Sequence, residues 1–311
     1  MARLVGQLGE SAALDTLGRL AQFEQEIYER KGLVTYAAAD YLLDVLTDTT
    51  ERSPTFRLPP FRKCDDEISA RSWSFVKNPL RNTRDAWQQN LRRLPRGLEW
   101  AADTYHDLDA PVAIRSNPPT LDNEEIYLFQ IGNEPDRSRF DAGDSAWVQI
   151  AVGEEVLEFA AADHPFRREF QRLGVDFHKS AALCVGPDTT DGRPGEVFHV
   201  PVDLPPSPIK LWHHLAIKLV LNTVSTATMA RMGRVLGNWM VHVETSNKKL
   251  IDRGTRLIAE LAGLSYEEAC LRLHETLEEV EPRHRLTRDA PSPVALALER
   301  LGAMAPGSSK Q

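Results

Sequence analysis

Cysteine is scarce: Cys64, Cys184 and Cys270 are the three in 311 residues, odd in number and far apart. A disulfide framework needs pairs and a zinc site needs closely spaced ligands, so three reduced thiols are the expectation. Positive charge is short as well, with 37 Lys and Arg against 45 Asp and Glu and a formal net charge of -8. That balance excludes a general electrostatic grip on nucleic acid or on an anionic membrane face, so an anionic ligand has to be held by local groups. No uninterrupted apolar run reaches the ~20 residues needed to span a bilayer. The opening MARLVGQLGE lacks the basic segment and apolar stretch of a leader, and cytoplasm is the expected compartment. No internal repeat is evident.

What is present is ordinary globular composition, 42% hydrophobic and 26% charged, in a chain long enough for an α/β domain with a helical appendage. Apolar residues recur at helical spacing over 14–31, with Leu17, Leu20, Phe23 and Ile27 on one side and Gly32 as a stop. LVTY at 33–36 reads as a strand, and 37–46 as a small-residue turn running into a helix. Further strands are predicted at 112–116, 126–131, 147–152, 181–185 and 197–200, with a helix over 165–173. Short, nearly continuous apolar strands alternating with helices point to a mostly parallel, doubly wound α/β sheet covered on both faces. The stretch 52–96 reads as irregular cover with one helix at about 83–94. Residues 208–240 read as a long buried helix that Gly233 and Gly237 could interrupt, and the chain is helical after Asn247, with Ser265 and Glu268 as a capping box.

Polar residues inside the buried helix are the first candidates for function. Lys218 is flanked by Leu215, Ala216, Ile217, Leu219, Val220 and Leu221, so it must reach an edge or meet an anion. Asn222, Ser225 and Thr226 satisfy backbone or neighbouring helices, or touch a ligand. His213 and His214 are consecutive and point to different sides, which disfavours a metal pair, and no metal site is predicted. Glu51, in DTTERSPTF, reads on its own as a solvated loop carboxylate. Trp73, Trp87, Arg92, Arg93 and Trp100 are residue types that anchor interfaces or plug cores.

The runs KLVLNTVST, GRVLGNWMV and SNKKL, together with DTTERSPTF and GLSYEEACLRLHETLEEV, resemble the sugar isomerase (SIS) group of N-acetylmuramic acid 6-phosphate etherase and glucokinase regulatory protein, most closely its degenerate second lobes. The resemblance implies an SIS-type, flavodoxin-like sandwich with a C-terminal helical subdomain: a helical lead-in over 1–32, the α/β domain over 33–250, the helical subdomain over 251–303 and a tail over 304–311. It implies that Lys218 looks toward a sugar-phosphate pocket, with Lys210, Asn222 and Ser225 as further ligand-binding candidates. Glu51 falls on the glutamate that serves the etherases as general acid and base while lactate leaves by elimination. The implied ligand is a hexose or amino-sugar 6-phosphate, and the implied partner is a second copy or a second SIS lobe. No cofactor, nucleic acid or membrane is implied.

The departures from the pattern are equally specific. Where relatives place a Gly-Ser-Thr turn that cradles phosphate, this chain has AAADYLLD at 37–44, with Tyr41 at the hydroxyl position and Asp40 adding negative charge. The second hydroxyl-rich turn is replaced by Gly153, Glu154 and Glu155, and SPIKLWHH at 207–214 keeps Lys210 without the usual small hydroxyl residues. The second acidic catalytic segment is not found between Arg57 and Trp87. Three readings follow: a non-catalytic lobe completing a partner's pocket, an active etherase using Glu51, or an assembly scaffold.

Overall fold

The computed structural model describes residues 1–97, 102–118, 123–187, 193, 195–280 and 287–305. Trp100 and the end of the expected tail lie outside the described residues. In chain order the elements are α1 (Ala2–Leu8), α2 (Ser11–Glu29), β1 (Val34–Ala37), α3 (Leu42–Phe56), β2 (Ser74–Lys77), α4 (Thr83–Leu91), α5 (Ala102–Asp107), α6 (Val112–Ser116), a 3-10 turn (Glu125–Leu128), α7 (Arg137–Phe140), β3 (Ala146–Val152), α8 (Glu155–Glu158), α9 (Pro165–Gly174), β4 (Lys179–Val185) and β5 (Glu196–Val200). There follow α10 (Leu211–Arg231), a small hairpin β6 (Val235–Leu236) and β7 (Trp239–Met240), and then α11 (Lys248–Ala262), α12 (Tyr266–Val280) and α13 (Pro293–Arg300).

Five strands form one sheet in the order β2-β1-β3-β4-β5, and every pairing is parallel. All seven residues of β3 are buried, which is why its sequence AWVQIAV has no polar alternation. One face is covered by α2, α3 and α10 through Leu20, Ile27, Val45, Ile217 and Val224. On the other face, Phe166 and Phe170 of α9 pack with Phe159 against Trp147, whose indole N–H donates to the Phe170 carbonyl at 2.9 Å. The molecule is therefore a doubly wound α/β fold of the class expected. A separate core holds α11, α12 and α13 together with Val241 and Val243. The capping box is present: Glu268 N–H donates to Ser265 Oγ at 3.3 Å, and Ser265 N–H donates to Glu268 Oε2 at 3.1 Å.

Several sequence expectations are corrected. Residues 112–116 form the short helix α6 instead of a strand, with Val112 67% exposed. Within 126–131 the chain makes the 3-10 turn instead of a strand. The edge strand next to β1 is β2, which lies inside the stretch read as irregular because Ser74 and Lys77 at its ends are polar and yet buried. The long helix stops at Arg231; Gly233 (φ 74) leaves it, and Gly237 (φ 58) turns the two-residue hairpin loop between β6 and β7. At the end of α2, the left-handed residue is Lys31 (φ 63) and not Gly32. Gly32 is required for a different reason, since a Cβ there would stand 2.8 Å from the backbone of Asp144. Of the tryptophans, Trp73 lies between the guanidinium groups of Arg234 and Arg288 at 4.7 and 5.2 Å, and Trp87 donates to the Phe129 carbonyl. Both serve packing, while Arg92 and Arg93 are exposed.

A buried ionic cluster ties the first face together. Arg52 of α3 donates to Glu24 of α2 at 3.1 Å and to Asp48 at 2.9 Å, and all three side chains are at most 3% exposed. Glu24 also receives the hydroxyls of Tyr36 from β1 and Thr228 from α10. Burial, with the charge of Glu24 second, pushes the Tyr36 phenol well up, so it remains a donor.

Candidate functional site

A parallel sheet in this order reverses direction between β1 and β3, and a crevice opens at the carboxyl ends of that pair. The turn from Ala38 to Tyr41 follows β1, and Gly153 to Glu155 follows β3. Backbone N–H groups at such a place are the natural donors for an anion. Here two of them are taken by the chain itself. The Glu155 carboxyl accepts from Asp40 N–H at 3.3 Å and from Val152 N–H at 3.2 Å, and the residue is 5% exposed. Burial pushes its pKa up to about 8; the two N–H donors pull the other way and the nearby charge of Asp40 adds to the rise.

The first turn of α10 closes the crevice from above. The His213 ring stacks on Tyr41 with planes 4° apart and centroids 6.2 Å apart, and it lies so close to Gly153 that a Cβ there would stand 2.5 Å from the imidazole. Burial lowers the His213 pKa, against the pull of Glu154, so the ring is neutral at pH 7. Lys210, in a left-handed conformation ahead of α10, sits 3.8 Å from Glu154 and 4.0 Å from Asp40. An incoming phosphate would meet two exposed carboxylates, one lysine already shared between them, and occupied amides. Because Gly153 has φ +60 and no room for a side chain, Gly153→Ala is expected to cost about 2–3 kcal/mol in urea denaturation. A loss below 0.5 kcal/mol, on the order of a neutral surface change, would show that His213 yields and the crevice is not firmly closed.

The other sequence-predicted residues lie along the seam between α3 and α10. Asp44, Thr47, Asp48 and Glu51 share one face of α3 by their spacing, and α10 presents His214, Lys218 and Ser225 to them. His214 Nδ1 is 2.7 Å from Asp44, Lys218 Nζ donates to Thr47 Oγ1 at 2.8 Å and stands 3.8 Å from Glu51, and Ser225 Oγ donates to the Asn222 carbonyl at 3.1 Å. Glu51 and Lys218 are thus brought together, with side chains 67% and 34% exposed. Asn222 is exposed one turn further along α10. Ser225 is buried between the helices and Lys210 belongs to the crevice, so these two do not join the pair. Thr47, which sequence reasoning passed over, also lines an apolar cavity of about 510 Å³ with Phe61, Trp87 and Phe129. Among the described residues no group of three or more His, Cys, Asp and Glu is placed to hold a metal ion. No helix among them is long and apolar enough to cross a membrane.

Fold and crevice define a doubly wound α/β domain in which a carboxyl group of the chain itself holds two backbone amides at the switch point of the sheet. The chain matches no protein-family model. Over partial stretches it is similar to N-acetylmuramic acid 6-phosphate etherases. It is 49% identical over 78 residues to that of Bacteroides thetaiotaomicron, covering 24% of this chain and 28% of that protein. It is 56% identical over 54 residues to that of Porphyromonas gingivalis, covering 17% and 20%, and 37% identical over 106 residues to that of Yersinia pestis, covering 33% and 36%. The matched stretches therefore span about a fifth to a third of the length of these relatives. The relationship is to the etherases, over part of the chain.

Proposed function

We propose that this chain is a sugar-phosphate-related SIS-type domain of the cytoplasm that acts as a non-catalytic lobe, as in glucokinase regulatory protein. Its Lys218 seam completes a pocket formed with a second lobe, which is a second copy of the chain or a separate SIS-type partner. The observation that carries this reading is Glu155, whose carboxyl holds the two amide donors at the switch point of the sheet. A lobe that fills its own cradle keeps no place there for a phosphate. Lys218 is partly exposed, with a hydroxyl and a loosely placed carboxylate as its partners, and so remains open to an anion brought from outside. The division at residues 32, 250 and 303 belongs to the same proposal and is supported by the separate core of α11 to α13, which also draws in Val241 and Val243.

The test is calorimetric titration of N-acetylmuramic acid 6-phosphate and hexose 6-phosphates into a mixture of the chain with an intact SIS lobe. Binding by the mixture that weakens roughly tenfold or more with Lys218→Ala, as for a lost charge-assisted contact, supports the proposal. Equal affinity with and without that side chain contradicts it.

A second reading, an active etherase, is favoured by the approach of Lys218 to Glu51. It requires release of D-lactate from N-acetylmuramic acid 6-phosphate and loss of that release in Glu51→Gln. The expected outcome is no release, because Glu51 lacks the partial burial that acid and base chemistry at carbon calls for and no anion cradle stands beside it.

A further inference from the structure

At the amino-terminal ends of β1 and β2, on the opposite edge from the filled crevice, lies a cavity of about 320 Å³, large enough for a small metabolite. Its walls carry Arg62, Lys63, Arg71, Arg137 and Arg139 against a single carboxylate, Asp136, in a chain of net charge -8. Lys63 is neutralised by Glu125. Asp136 is turned to the backbone N–H and hydroxyl of Ser138, where it caps α7.

The four arginines form no ion pair among the described residues. Arg139 is 3% exposed and donates only to neutral acceptors: Thr35 Oγ1 at 2.6 Å, Val34 O at 3.0 Å and Ser72 O at 3.1 Å. The Nε of Arg71 is buried with no hydrogen-bond partner. Behind Arg139, in an adjoining smaller cavity, Lys77 is 4% exposed and donates to the Gln130 carbonyl. Burial lowers the pKa of Lys77 to about 8 and that of Arg139 to about 10. Asp136 offsets part of the charge of both, and Glu134 part of that of Lys77, but four guanidinium groups against the one carboxylate of the cavity remain an unfavourable arrangement unless an anion occupies it, and planar guanidinium forks match phosphate oxygens.

We infer that this cavity is a second anion site, built for the phosphate group of a small phosphate ester whose organic part rests against Phe75 and Leu128. It shares no residue with the Lys218 seam or the Glu155 crevice, so it stands or falls separately from the function proposed above.

The test is calorimetry on the full chain with inorganic phosphate, glucose 6-phosphate and glucose. Wild type is compared with the double variant Arg71→Gln, Arg137→Gln, which leaves the strand contacts of Arg139 in place. Both phosphate compounds are expected to bind and glucose to give no heat. The double variant is expected to lose roughly tenfold or more in affinity. Tighter binding of the ester than of phosphate assigns a role to Phe75 and Leu128; equal binding assigns the site to free phosphate, and either result supports the anion site. If the double variant melts early, Arg137→Gln alone carries the test, since that side chain is exposed. Absence of heat from both phosphate compounds, unchanged affinity in the arginine variants, or loss only in Lys218→Ala overturns the inference.

Discussion

Replacing Arg52 with methionine is expected to lower the stability of the chain by about 3–5 kcal/mol, a large part of what holds a domain folded. The loss arises less from the missing contacts than from what is left behind. Glu24 and Asp48, at 0% and 3% exposure, would lie in the core without their cation. The hydroxyls of Tyr36 and Thr228 still donate to Glu24, but they do not neutralise it. Arg52→Lys keeps the charge and gives up the fork that reaches both acids, so it is expected to fall between wild type and Arg52→Met. Removing Glu24 and Asp48 together with Arg52, in favour of apolar residues of similar volume, is expected to recover much of the loss. Urea denaturation of the three variants gives the order directly, and a loss below about 1 kcal/mol in Arg52→Met, the level of an exposed pair, would show that the cluster contributes little.

Stability is also expected to decline as pH rises from about 4.5 to about 8 because of Glu155. The carboxyl binds its proton more tightly in the folded protein than in the unfolded chain. Below the unfolded value both states are protonated and its contribution is fully present. Above that value the unfolded chain releases the proton while the folded protein keeps it. The contribution is therefore lost at about 1.4 kcal/mol per pH unit until the folded group ionises, and the slope then levels. Other carboxylates, such as Asp144 beside Arg30 and Glu268 beside Ser265, are held below their usual range and slope the opposite way. The relevant quantity is thus the difference between wild type and Glu155→Gln, measured by denaturation across the window. The glutamine variant lacks the slope whatever its absolute stability, and identical pH profiles for the two proteins would remove Glu155 from the account.

The parts of the fold legible in the sequence are those where apolar letters predominate over a strand's length. β1, β3 and β4 lie in the middle of the sheet and, with the edge strand β5, read as mostly apolar runs, whereas β2 hides Ser74 and Lys77 in the interior, where the Lys77 ammonium donates to a carbonyl far along the chain. The apolar letters of 112–116 suggested a strand, but Pro111 opens a short helix there and Val112 faces solvent. The presence of Tyr41 and Glu155 in the turns after β1 and β3 was visible as residue types. That Glu155 turns inward to the amides of Asp40 and Val152 was not, because it depends on the approach of two turns from different strands. The meeting of Glu51 with Lys218 depends in the same way on the register of α3 against α10. The basic cavity gathers Arg62, Arg71 and Arg139 from separate loops and a short helix, so no local pattern announced it.

In the function proposed, the amides of Asp40 and Val152 serve Glu155 and no external phosphate. Nuclear magnetic resonance of the nitrogen-labelled chain tests it on the atoms concerned. The Asp40 and Val152 amide signals should stay in place as N-acetylmuramic acid 6-phosphate is added at pH 7, and should move with a midpoint near pH 8 as Glu155 ionises. Saturable shifts of those two signals on adding the sugar phosphate, with no response to pH, would contradict it.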